Sequence, residues 1–357
     1  MKLLTRYLAR EIYASIALVF TALILLFAFL DFVNELNALG QGQYRLSYVL
    51  MYVGLTIPGR IYELFPVAAL IGTILALVQM AANSELTVYR ASGASLLQML
   101  GALGKIALPL VVACFVFGEF VAPPSEHLAQ QLRLKAKNLQ VSVQAFRSGV
   151  WVKDDNSFVN VKNVMPDSSL LNLDIYQFDE NYHLQAILNA KRANFIEQKW
   201  QLEEVQETRF AEAKISLASY AVRPWLTALN PELFMVLLVA PEQMSGWNLY
   251  QYVNHLRDNH QQTARYEIAM WSKLVYPLAV LVMMVLALPF AAHHHRSSGI
   301  STKIFMGIVL GLSFHFFGRL FGSLGALNNW PPLFSASAMT VLFLVVGVMM
   351  LWWRERR

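Results

Sequence analysis

Apolar positions in this chain run together in long blocks near both ends and alternate with polar positions in the middle. Ile12–Leu30, Leu64–Asn83, Leu274–Ala292 and Leu333–Trp353 contain no charged residue. As helices, each is long enough to cross a hydrocarbon layer of ~30 Å. Leu96–Val121 is broken only by Lys105 and Glu119, and Ile304–Leu320 only by Arg319. The pattern therefore predicts three spans, a polar insert and three further spans, divided as residues 1–121, 122–268 and 269–357.

Within the insert the period shortens to two. Val150–Lys153, the polar run Asp154–Ser157, and Phe158–Val161 read as strand, turn and strand. Leu171, Leu173 and Ile175 alternate with polar neighbours, Asp179–Asn181 turns the chain, and His183–Leu188 returns. Phe195-Ile196 and Trp200–Leu202 predict another hairpin around Gln198-Lys199. Short alternating strands at this spacing indicate an antiparallel sandwich or barrel-like domain. Helical spacing resumes at Gly246–Tyr266, which is expected to run on into the fourth span.

Composition agrees with a membrane solvent: 56% of the 357 residues are hydrophobic and 14% are charged. The net charge of +5 would suit nucleic acid, but its placement argues otherwise. Residues 122–268 hold sixteen of the 23 acidic residues and fourteen of the 28 basic ones. Lys2, Arg6, Arg10, Arg90, Arg296, Lys303, Arg354, Arg356 and Arg357 fall on one side of the expected membrane; the short segments opposite carry only Arg45 and Arg60. By the positive-inside rule both termini are cytoplasmic and the insert is extracytoplasmic. The first apolar run is too long for a cleaved signal and lacks a small-residue cleavage site. The only cysteine, Cys114, lies in span three, so the insert is expected to fold without a disulfide.

Enzyme chemistry finds little support. Asp154-Asp155 and Glu203-Glu204 are adjacent strand residues whose side chains point to opposite faces. Gly101–Lys105 has neither the spacing nor the Ser/Thr of a phosphate loop. No metal is expected, and His293–His295 reads as a basic headgroup-facing loop. More informative is the segment 84–93. Ser84 can cap a short helix, Glu85 and Thr87 fall in its opening turns, Arg90 in its last turn, and Gly93 can terminate it. A capped helix between two spans is a docking element.

Arg60, Arg133 and Arg319 are expected as a basic rim at the outer mouth of the helices, suited to an anionic amphiphile. Phe27 and Phe317, with Phe20, Phe29, Phe314 and Phe316, offer an apolar wall on spans one and five. Val152 marks the apolar face of the insert, expected to open as a groove for acyl chains. The competing reading is a proton-driven lipid transporter or flippase with Lys105, Glu119 and His315 as its relay.

Several motifs resemble one family. Ser84–Gly93, Gly118–Pro123 closing span three, Met270–Pro277 opening span four, Gly40–Tyr44, Phe65-Pro66 and Trp330–Pro332 are similar to the lipopolysaccharide export permeases (YjgP/YjgQ; LptF/LptG), nearer the LptG branch. The resemblance implies an inner-membrane permease half of an ABC exporter, with a periplasmic jellyroll-like domain inserted between helices 3 and 4. It implies an LptF-like second permease, an LptB-like ATPase dimer docking on segment 84–93, and LptC-like and LptA-like bridge proteins. It also implies no cofactor on this chain, ATP and Mg²⁺ belonging to the ATPase. Asp31, Asn37, Ala38 and Gln130 stand where the family pattern has basic residues.

Overall fold

The computed structural model describes residues 2–85, 96–136, 141–142, 150–165, 169–179, 181–196, 199–211, 214–227, 229, 240–291 and 300–355. Six of its helical segments are long and apolar enough to cross a membrane. Helix α1 (Lys2–Leu36) takes in both the basic amphipathic start and the first span. Helix α2 (Leu46–Ala82) is the centre of the bundle. Its span is 83% buried, against 11% for the span in α1. Gly72 permits a close backbone approach: a Cβ there would lie 2.6 Å from Ile16 Cα of α1.

The third span departs from its expected end. Helix α3 (Leu96–Val116) passes through a π-helical segment, Phe117–Val121, into α4 (Ala122–Ala136). Pro123, at the end of the motif expected to close the span, instead lies with Pro124 in the first turn of α4, directly after the π-helical segment. The first fifteen residues after 121 thus continue the helix rather than begin the β domain.

The insert then forms a seven-stranded antiparallel sheet. Strands β1 (Val141–Ser142) and β2 (Val150–Asp154) both pair with β3 (Ser157–Val164). From β3 the sheet meanders through β4 (Leu170–Phe178), β5 (Leu184–Ile196), β6 (Lys199–Ala211) and β7 (Lys214–Trp225). Val159, Val161, Leu173, Ile175, Leu188 and Trp200 share the buried face. Alternation slips once along the strands. Inward residues there are three apart: Leu170 and Leu173, Ala193 and Ala190, Leu202 and Val205. These residues remain paired across β4, β5 and β6, so the extra residue falls at one level in each strand. Asn172 and Glu204, at that level, have φ of 54° and 50°. Leu170 therefore faces the core with Leu173 and Ile175, correcting the expected phase at Leu171.

Helix α5 (Gly246–Asp258) stops at Asn259 instead of continuing into the fourth span. The chain turns through His260, at φ 54°, before α6 (Ala264–Ala291). Asn259 clamps the β2–β3 hairpin there: its carbonyl accepts from Lys153 Nζ at 3.3 Å and its Oδ1 from the Asp155 amide at 3.0 Å. Helices α7 (Ile300–Leu327) and α8 (Pro332–Glu355) complete the bundle.

Candidate functional site

The three arginines expected as a free basic rim are instead bound to carboxylates. Arg60 of α2 donates through Nε and Nη2 to both oxygens of Asp31 on α1, at 2.8 and 2.7 Å. Its Nη1 donates to Glu63 Oε2 at 2.8 Å, one helical turn on. The other oxygen of Glu63 accepts from Arg319 Nη2 of α7 at 2.6 Å. One carboxylate thus ties α2 to α7 while one guanidinium ties α2 to α1. Arg60 also lies over the Phe27 ring, 5.7 Å from its centroid.

Arg133 of α4 donates to buried Glu35 of α1 at 2.8 Å and lies 5.3 Å over Tyr52. Glu126, also buried, accepts from Gln130 at 3.1 Å. Four carboxylates therefore face three guanidinium groups among the described residues here. The planar fork of Arg60 is used up on Asp31, whereas the Arg319 side chain is 79% exposed with one carboxylate oxygen. Reading the sequence for cations alone missed Glu35, Glu63 and Glu126. Arg60 and Glu63, and Asp31 and Glu35, are spaced to share a helix face, which was the available signal.

Two thinly covered helices flank α2. The α7 span is only 17% buried and the α1 span only 11%. Phe29, Phe316 and Phe317 are exposed on them. Phe314 is not part of this wall: it is buried, edge-on to Phe343. Phe20 likewise packs edge-on against Phe65. Val152 is 8% exposed, inside a packed interior rather than along an open groove.

At the opposite end of α2, Ser84 and Glu85 are described, whereas Thr87, Arg90, Gly93 and the run His293–His295 lie outside the described residues. Ser84 has φ 63° and donates its amide to Ala81 O at 3.1 Å. It terminates α2 in the left-handed conformation, so it does not have the extended backbone of a helix N-cap. Glu85 accepts from the Tyr7 hydroxyl at 3.0 Å, fastening the segment's start to α1.

The proton relay of the competing reading separates into unrelated environments. Glu119, in the π-helical segment, accepts from the amides of Gly246 and Trp247 at 2.8 and 3.3 Å. It thereby caps α5, where a helix N-terminus favours an anion. Buried Lys273 donates to Gly118 O at 3.1 Å and lies 4.7 Å over Tyr62. Lys105 is exposed, and His315 contacts Tyr276 at 3.5 Å. Among the described residues no hydrogen bond joins Lys105, Glu119 and His315. Glu119 and Lys273 form a joint between span three, span four and the β domain's exit helix. Gly118 is obligatory in it, since a Cβ there would come within 2.3 Å of the Tyr62 ring.

The family model for the lipopolysaccharide export system permease LptF/LptG matches residues 6–353. The chain is 33% identical over 352 residues to the lipopolysaccharide export system permease protein LptG of Haemophilus influenzae, covering 98% of this chain and 97% of that protein. It is 34% identical over 351 residues to the LptG protein of Escherichia coli K12, at the same coverage.

Proposed function

The chain belongs to the LptF/LptG family of lipopolysaccharide export permeases, and from that membership we propose how its parts divide the work of an ABC exporter. The observation that carries the reading is the pairing of two exposed apolar helices, α1 and α7, with a charged cluster at the β-domain end of α2. An amphiphile with acyl chains and an anionic head needs that combination. In the proposal, an LptF-like second permease completes the cavity. Lipopolysaccharide enters against Phe27 and Phe317, and its phosphates take Arg319 and Arg133 from Glu63 and Glu35. A guanidinium fork that holds a carboxylate can hold a phosphate by the same two N–H groups.

Segment 84–93 docks in an LptB-like ATPase dimer, which binds the ATP and Mg²⁺; this chain binds no cofactor. The lipid then enters the β domain by displacing the packing around Val152 and leaves through LptC-like and LptA-like bridge proteins. Both termini and segment 84–93 lie in the cytoplasm, and the sheet in the periplasm. Mild solubilisation from the native membrane, followed by mass spectrometry, should recover the second permease, the ATPase and lipopolysaccharide. A photocrosslinker at Phe317 should capture the lipid without hydrolysis and one at Val152 only with it. Hydrolysis-independent capture at Val152, or an active complex with no capture at either position, would sink the route.

A further inference from the structure

The face of the sheet turned away from its core is built in rows. Asn160, Asp174, Asn189, Gln206 and Ser219 pair directly across β3 to β7. The neighbouring row, at the level of the aligned bulges, contributes Lys162, Asn172, Lys191 and Glu204. Apart from Asn160, which is buried, these residues line a shallow depression of about 490 Å³. On its other flank are Phe158, Tyr176 and Ile187, paired across β3, β4 and β5. Trp151 pairs with Asn160 and stacks on Tyr176, their centroids 5.6 Å apart, with half of its surface exposed.

The chemistry of this depression differs from that of the charged cluster. Lys162 and Lys191 are matched by Asp174 and Glu204, so no excess cation remains to hold a phosphate. Asp174 accepts from Asn189 Nδ2 at 2.6 Å, and Lys191 is hydrogen-bonded to Glu204. Planar amides and carboxylates at these spacings offer paired donors and acceptors to neighbouring hydroxyls. The exposed indole offers flat apolar area to the C–H face of a pyranose ring. A protein partner would favour an apolar centre with a polar rim; here the centre is polar and the aromatics lie to one side.

We infer that this outer face is a saccharide-binding surface, with Asp174, Asn189 and Lys191 taking hydroxyls and Trp151 stacking on a ring. Resting on the export reading above, its ligand is the glycan of the exported lipid, carried outside the sheet while the acyl chains travel within. The extra residue in β4, β5 and β6 puts two successive side chains outward on each strand and creates the hollow.

The test uses the full chain in nanodiscs, with lipid-free core oligosaccharide as probe and calorimetry as readout. Binding should weaken about tenfold in Asn189→Ala and in Trp151→Ala, a loss of the order of one hydrogen-bond set, with Lys214→Ala unchanged. Circular dichroism confirms that each variant is folded. No binding at millimolar oligosaccharide overturns the proposal, as does equal binding by all three variants. So does a variant that loses a copurifying protein but keeps its sugar affinity. Because the probe carries no acyl chain, the result stands apart from lipid capture at Phe317 and Val152, which tests the export route.

Discussion

Two carboxylates in this protein each hold two arginines, and the pair shows what such an arrangement does in different settings. Glu207 in the sheet accepts from Arg209 at 3.0 Å and Arg223 at 2.7 Å. Both partners come from its own hairpin, two and sixteen residues away. The Glu207 side chain is 4% exposed. Glu63 in the bundle accepts from Arg60, three residues away, and from Arg319, 256 residues away. Its side chain is 31% exposed. A buried pair within one hairpin forms and breaks with the local fold. A half-exposed pair between distant helices can be exchanged for another anion while every helix stays folded. The first holds a domain together, and the second can act as a latch.

Glu207→Gln should give the largest stability loss. A buried hydrogen bond to a charged group contributes about 1.5–3 kcal/mol. The midpoint of strand-region circular dichroism should fall by several degrees in thermal scans of the full chain. An unchanged midpoint would dissolve the contrast between the two carboxylates.

The same residue sets a pH signature. Burial alone would raise the Glu207 carboxyl, but Arg209 and Arg223 outweigh it and hold the group below its usual value of 4.5. A depressed native pKa means that the stabilisation is complete above about pH 4.5 and disappears as pH falls through the lower, folded value. Acid titration of wild type and Glu207→Gln should therefore converge below pH 4.5. Parallel curves would remove Glu207 as the cause.

Glu63→Gln should change stability by less than ~1 kcal/mol, the range of exposed pairs. It should, however, release Arg319 and increase crosslinking of anionic lipid at Phe317 severalfold, more so at low salt. Reduced crosslinking would mean that Glu63 holds the arginines in place for the lipid instead of withholding them. The smallest effect is expected from Tyr7→Phe, which removes one exposed bond to Glu85. Unfolding should be unchanged, with ATPase copurification lowered slightly; complete loss of the ATPase would show that Tyr7 itself reaches it.

Much of this architecture was legible because the solvent dictates it. Charge-free runs have few alternatives to spanning helices, and the polar run Asp154–Ser157 between alternating segments leaves little but a hairpin. Strand β7 was not legible because Ile215, Leu217, Tyr220 and Val222 are exposed along a sheet edge, so burial imposes no period on them. The aligned bulges escaped notice because Leu170 and Leu171 are both apolar, so the sequence does not mark where the phase slips between Leu170 and Leu173. At the charged cluster the arginines stood out and their carboxylates did not. A charge beside an apolar run is visible in one dimension; its neutralisation by a helix 256 residues away is not.

The π-helical segment between α3 and α4 stores a quantity of twist. Five residues, Phe117–Val121, are wound more loosely than in an α-helix. Rewinding them to α geometry would turn everything beyond them by on the order of 100°, one residue's worth of rotation, without unfolding a turn. Glu126 and Arg133 lie beyond it, and Glu119 and Gly118, which grip α5 and Lys273, lie within it. Tightening this short screw would carry Arg133 off Glu35 and release the cap of α5 in one movement. A change of winding at this point, where the membrane and β regions meet, would therefore act on both at once.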